Sequence, residues 1–357
     1  MIEAQAPQGA APGACVVEAF PYLSEEPGFS MPPGSAVPGC SDRASGQPEA
    51  ARLDRCPRAH PVMTTRGRHA ACHVVDWGRD IPTTTDPTLP MDLGLTNCTA
   101  FVAGASKGLG RAAAHELAQE GCRVALCSRD EDRITEAATA IETDTAGEVL
   151  PLVCDVTDED QINAAIDETI DAFGDLHVLV TNAGGPPSGA ATELDPADYR
   201  DAVELNLMST ISLCDAALPH LRTAAAEDDH ARIIMVTSVS AKQPIPTLAL
   251  SNTARAGVQG YAKSLADDVG PAGITVNTIL PGYTRTQRLE DLAKDIEDRT
   301  GQSRTEVEAG WAEENALPRI GEPDEFAAMV AFLASARAGY ITGAALPVDG
   351  GRSKHVL

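Results

Sequence analysis

Lysine is the scarcest charged residue of this chain: Lys107, Lys242, Lys263, Lys294 and Lys354 stand against 52 Asp and Glu. The formal net charge is −25 at pH 7. A surface this acidic repels nucleic acid and anionic membranes, so neither is an expected partner. It suits a protein that stays hydrated in concentrated salt, where screening removes self-repulsion, and a halophilic source is expected. Long apolar runs are also missing. No uninterrupted stretch reaches the about 18 residues of a membrane span. The N-terminus lacks the basic-then-apolar pattern of a secretory signal, and the expected location is the cytoplasm. The nine cysteines are odd in number and include no C-x-x-C, which excludes a disulfide framework and a zinc ribbon. Cys56, His60, His69, Cys72 and His73 fit no zinc spacing, so no metal site is expected.

Residues 1–90 lack periodicity of any kind. They hold 13 of the 25 prolines and few apolar runs, too little to offset chain entropy, and are expected to be disordered. Met91 opens Met-Asp-Leu-Gly-Leu just before the first strand-like run. The expectation is a single folded domain over 91–357, with Met91 the true initiator and 1–90 upstream sequence. A regulatory or targeting tail is the alternative.

The rest of the chain alternates strands and helices. Thr99–Ala103 reads as a buried strand, followed by a glycine turn (Gly104, Gly108, Gly110) and a helix closed by Gly121. The turn spells G-x3-G-x-G, not the commoner G-x-G-x-x-G. Such a turn admits a close ligand, and the following helix start offers free N–H groups to a phosphate. Further strands are expected at 123–127, 149–154, 177–181, 232–237, 274–280 and 345–348. Helices are expected at 130–146, 158–173 (capped by Thr157 or Asp158), 196–217, 253–269 and 324–334, with a charged lid over 285–316. Buried strands alternating with helices predict an α/β, Rossmann-type, doubly wound parallel sheet with its ligand beyond the carboxyl ends of the strands.

In order along the chain stand Gly104-Ala-Ser-Lys-Gly-Leu-Gly110, Asp155-Val156, Asn182-Ala-Gly184, Glu204-Leu-Asn206, Val236-Thr-Ser238, Ile274-Thr-Val-Asn277, Leu280-Pro-Gly282 and Pro347-Val-Asp-Gly-Gly351. On these markers the chain from Met91 to about Gly351 resembles a short-chain dehydrogenase/reductase of the 3-oxoacyl-carrier-protein reductase type. The resemblance implies a nicotinamide cofactor. Gly104, Gly108 and Gly110 would admit its pyrophosphate, with Ser106 and Leu109 lining the turn. Asp155 and Val156 would face the adenine, and Asn182, Ala183 and Gly184 would lie beside the adenosine ribose. Pro281, Gly282, Thr284 and Thr286 would hold the carboxamide. It also implies a homotetramer or homodimer, packed through the long helices. An apolar stripe on 253–269 (Ala256, Val258, Ala262, Leu265, Val269) fits such an interface, and fits core packing equally.

Charge bears on the cofactor's identity. An acid after the second strand would bind a free ribose 2′-hydroxyl; here Ser128 and Arg129 occupy that place, and Lys107 lies in the turn. The two cations favour NADP(H) over NAD(H). Arg129 could instead pair with Asp130, Glu131 or Asp132.

The chain departs from the resemblance at the catalytic segment. Asn206 and Ser238 are in place, but the family's Tyr-x-x-x-Lys is absent. Thirteen residues after Ser238 stands Ser251, and Arg255 takes the Lys position. An alcohol is a far weaker acid than a phenol of pKa about 10, and arginine does not give up its proton. Tyr283 is either a substitute phenol or a pocket wall; Lys242 and His220 are lesser candidates, His220 as the residue ending the long helix. Two expectations follow. One is an NADP(H)-dependent oxidoreductase acting on a carbonyl/alcohol pair through Asn206, Ser238, Ser251 and Arg255. The other is an NADP(H)-binding sensor or assembly subunit without turnover.

Overall fold

Short, mostly apolar runs become the strands of one sheet, with single arginines only at Arg123 in β2 and Arg232 in β5. The computed structural model describes residues 91–356, so the expectations for 1–90, including the Cys/His group at 56–73, lie outside the described residues. The strands are β1 (Thr99–Ala103), β2 (Arg123–Ser128), β3 (Val149–Val153), β4 (Val178–Thr181), β5 (Ala231–Val236), β6 (Ile274–Pro281) and β7 (Ala345–Val348). They pair in parallel in the order β3-β2-β1-β4-β5-β6-β7. The order reverses between β1 and β4, which opens a crevice beyond their carboxyl ends.

Helices α1 (Gly108–Gln119), α2 (Glu131–Thr145), α3 (Glu159–Phe173), α4 (Pro196–Val203), α5 (Ser209–Asp228), α6 (Ala249–Val269), α7 (Gln287–Thr300), α8 (Arg304–Glu314) and α9 (Pro323–Ala334) complete the fold. Alternation along β1 builds a core on each face. Ala100 and Val102 pack with Leu117, Ile134 and Phe326 on one side. Phe101 and Ala103 pack with Ile166, Leu213 and Val258 on the other. Each fully buried Leu, Ile or Phe in these layers stabilises the fold by about 1.5–3 kcal/mol. The expected thiols are buried within the second layer, Cys127 in β2 and Cys154 just past β3.

Several boundaries differ from expectation, each for a local reason. The segment expected as one helix over 196–217 is three pieces: α4, a π-helical turn over Glu204–Met208, and α5 running on to Asp228. His220 therefore lies inside α5 rather than at its end. Pro219 is tolerated within that helix, and Asp229 in the left-handed region ends it. Helix α6 starts at Ala249, which puts Ser251 in its first turn. Asp158, not Thr157, caps α3 by accepting from Gln161 N. The apolar stripe of α6 is mostly core: Val258, Ala262, Leu265 and Val269 are buried within this chain, and only Ala256 faces outward.

Candidate active site

The crevice forms because the β1–α1 turn and the end of β4 are stitched together. Gly104 and Gly108 both take φ of +60°, a left-handed conformation that glycine adopts without strain. A Cβ at Gly110 would overlap Gly104 O and stand 2.9 Å from Asn182 Nδ2. Asn182 Nδ2 donates to Gly104 O at 3.1 Å and to Ala103 O at 3.3 Å, closing the switch point. Gly110 thus works beneath the turn and does not line the cavity.

The start of α1 is built to meet an anion. Its N-cap, Lys107, makes no side-chain capping bond, and its first turn carries no acid. Helices α5 and α6 share that lack, whereas α2, α3, α4, α7, α8 and α9 each place an Asp or Glu in the first turn. A carboxylate there would neutralise the positive helix end; its omission leaves the end free for a phosphate. The turn therefore fits a dinucleotide.

A cleft of about 850 Å³ opens over this edge. Its floor at one end is Ser128, Asp155 and Val156, with Cys154 beneath. Ser106, Lys107, Leu109, Asn182, Ala183 and Gly184 form its middle; Pro281, Gly282, Thr284 and Thr286 lie toward the other end. Arg129 also lines it and lies 3.8 Å from Asp155, not against the acids that follow it in sequence. Arg133 and Arg111, which the sequence reading missed, border an adjoining hollow beside Lys107. They come together only because α1 and α2 lie side by side.

At the other end, three serines stand where β5 gives way to α6. Ser238 Oγ accepts from Ser240 N at 3.1 Å, and Ser240 Oγ lies 3.2 Å from Ser251 Oγ. Ser238 and Ser251 line the cleft; Ser240, which sequence reasoning missed, is buried behind them. Its only signal was two serines at spacing two after a strand. One turn along α6, Arg255 is buried, with Nη1 donating to Val236 O at 3.2 Å and Thr237 O at 3.0 Å. Burial, then the nearby charge of Arg288, pushes its pKa down to about 10. It remains a cation at neutral pH.

Asn206 sits in the π-helical turn, where the wider backbone spacing presents it inward. Its Nδ2 donates to Gly184 O at 2.8 Å, while its Oδ1 is buried with no partner. Asn206 does not line the cleft itself; it holds the strand end that does. Tyr283 lines the cleft but is committed elsewhere. Its ring stacks on Trp311 at 4.8 Å, and its hydroxyl accepts from Arg352 Nη2 at 2.9 Å. Burial raises its pKa. This arrangement makes Tyr283 a wall rather than a proton donor. The charged 285–316 segment is α7 and α8, joined by a small core of Ala293, Val307, Trp311 and Ile320.

This geometry has close parallels among known proteins. The family model described as Enoyl-(Acyl carrier protein) reductase matches residues 104–353. The short-chain reductase protein NovJ of Streptomyces niveus is 34% identical over 253 residues, 71% of this chain and 93% of NovJ. The 3-oxoacyl-[acyl-carrier-protein] reductase FabG of Escherichia coli is 35% identical over 252 residues, 71% of this chain and 96% of FabG. Among solved structures, the L-sorbose reductase of Gluconobacter frateurii, complexed with NADPH and L-sorbose, superposes with a TM-score of 0.70. It is 30% identical and covers 74% of this chain and all of its own. The chain belongs to the short-chain dehydrogenase/reductase family. It is an oxidoreductase of that family, whose reductases and dehydrogenases act on carbonyl and alcohol groups.

Proposed function

We propose that the protein is an NADP(H)-dependent oxidoreductase that interconverts a small-molecule carbonyl compound and its alcohol through an atypical site of Asn206, Ser238, Ser251 and Arg255. The observation that carries the reading is that Ser238 and Ser251 both line the cleft, Ser251 with its hydroxyl 3.2 Å from Ser240 Oγ, beside the buried cation Arg255. When bound, the reduced cofactor supplies the hydride. The chain's own residues do the remainder. Ser238 and Ser251 donate hydrogen bonds to the carbonyl oxygen and stabilise the negative charge that develops there. Arg255 adds positive potential from below without losing a proton. The proton that ends on the product oxygen passes through Ser251 from water, because an alcohol relays a proton better than it supplies one. Asn206 positions Gly184 at the cleft edge.

NADP(H) is favoured by Lys107 and Arg129, which line the cleft beside Ser128, and by Arg133, which borders the same end. The structural neighbour bound to NADPH agrees with this choice. The folded unit in this reading is 91–357, working in the cytoplasm of a halophile as a homotetramer or homodimer. Tyr340, fully exposed just before β7, supports an apolar contact with a second copy.

One observation favours a second reading, cofactor binding without turnover. No phenol or amine stands where Ser251 and Arg255 do, and Arg255 commits its Nη1 to two backbone carbonyls. The test is NADPH oxidation in concentrated salt against a panel of ketones and aldehydes. Turnover supports the oxidoreductase; tight NADPH binding with no turnover on any substrate supports the second reading.

A further inference from the structure

The substrate half of the cleft has the wrong charge for this molecule. In a chain of net charge −25, Asp130 and Asp155 are the only carboxylates among the described residues that line the cleft, both beside Ser128 at the adenine end. The opposite half is lined by cations. Arg352 is balanced by Glu314 at 3.0 Å, and Arg255 is buried, with its Nη1 held by two backbone carbonyls. Arg288 is different.

Arg288 lies in the first turn of α7, a helix that also carries Glu290, Asp291, Asp295, Glu297 and Asp298. Seven arginines among the described residues lie within ion-pair distance of an Asp or Glu. Arg288 is not one of them. The nearest acids of its own helix, Glu290 and Asp291, are taken by Gln287 Nε2 at 3.2 and 3.1 Å. Arg288 reaches instead across the cleft edge, where Nη2 donates to Pro186 O at 3.0 Å. The missing side chain at Gly185 makes room: a Cβ there would stand 3.2 Å from Arg288 Nε. Its remaining donors have no partner among the described residues, and the side chain is exposed to the cleft.

A guanidinium held by one backbone carbonyl, with the rest of its fork open, is preorganised for a planar two-oxygen anion. The same cleft has apolar lining in Ile245, Leu248 and Leu289. We infer that the substrate is an oxo acid or its hydroxy acid, a carbonyl compound whose carboxylate is gripped by Arg288. This rests on the oxidoreductase reading above. In the reduction, hydride forms the new C–H bond at the carbonyl carbon and a proton from water ends on its oxygen. The carboxylate is unchanged, and NADPH becomes NADP⁺. The acidic lid then admits a small anion by giving it one cation to reach, while bulkier polyanions meet the carboxylates outside.

The test uses the full chain, with wild type, Arg288→Met and Arg288→Lys compared at the lowest salt that keeps the protein folded. The probes are 2-oxobutanoate, 3-oxobutanoate, 4-oxopentanoate and their methyl esters. Binding to the NADP⁺-loaded protein is measured by calorimetry, and turnover by NADPH oxidation. The expected result is one or more oxo acids binding at least tenfold tighter than their esters. Arg288→Met abolishes that preference with NADPH affinity within twofold of wild type, and Arg288→Lys keeps part of it. Equal affinity for acids and esters, or no binding of any acid, overturns the inference. So does an Arg288→Met variant that weakens NADPH and leaves the acid-to-ester ratio unchanged, which would assign Arg288 to the cofactor's diphosphate. The two readings fail separately. Acid binding without NADPH oxidation defeats the proposed function alone, and ester turnover equal to acid turnover defeats this inference alone.

Discussion

Ser238 and Ser251 carry the proposed chemistry, and their removal has a defined signature. Ser238→Ala takes one donor from the carbonyl oxygen, and a single such donor is worth about 10²–10³ in kcat. The expected outcome is a fall of that size in kcat with NADPH affinity unchanged, read from steady-state kinetics and a cofactor titration. Arg255 is a different case, because its guanidinium also satisfies Val236 O and Thr237 O inside the fold. Arg255→Met leaves both carbonyls buried without a donor, which costs about 1–3 kcal/mol of stability. Chemical denaturation measures this, and loss of activity without loss of stability would contradict the geometry. Lys107→Ala and Arg129→Ala are each expected to weaken NADPH about tenfold and leave NADH unaffected. Parallel titrations with the two cofactors check it.

Among the secondary-structure elements, the β1–α1 turn is the least tolerant. Gly110→Ala drives a methyl group into Gly104 O and Asn182 Nδ2, both of which hold the switch point. Loss of NADPH binding with the far-UV signal retained is the expected result. The elements were legible in the sequence because their chemistry is local. Thr99–Ala103 has no charge, Asp130 and Asp158 announce helix starts, and Pro281-Gly282 marks a strand end. The π-helical turn around Asn206 was not legible, since no residue pattern distinguishes one extra residue in a helix from none. Nor was the partnership of Ser240 with Ser251, which lie eleven residues apart and meet only when α6 docks beside β5. Arg288 was hidden for a similar reason. In sequence it sits among acids that should neutralise it, and only the fold turns it toward Pro186. The α6 stripe was legible as apolar but ambiguous in direction, and the second core layer took it.

Across the whole molecule, two forces act on stability with pH and salt. His230 is buried at the start of β5, with Nε2 hydrogen-bonded to Ala334 O at 2.8 Å. Burial, then the charge of Arg232, pushes its pKa down to about 4. The unfolded chain, with a histidine near pKa 6.5, binds more protons than the folded one between those values. The stabilising effect is thus fully present above pH about 6.5 and is lost as pH falls toward 4, up to about 3 kcal/mol. His230→Gln, which keeps a donor for Ala334 O, should flatten the curve of denaturation midpoint against pH in that window. The charge of −25 acts on a larger scale. Screening it with salt should raise the melting temperature steadily from low to molar concentration, with the largest gain at the low end.

The central claim is that an intact dinucleotide cradle serves a reaction run without the usual phenol and amine. Its most direct test is single-turnover mixing of the full chain with NADPH and a carbonyl panel in concentrated salt, followed at the nicotinamide absorbance. The account predicts loss of that absorbance with at least one carbonyl compound, slowed about 10²–10³-fold by Ser238→Ala. Stoichiometric NADPH binding with no absorbance change on any member of the panel would contradict it.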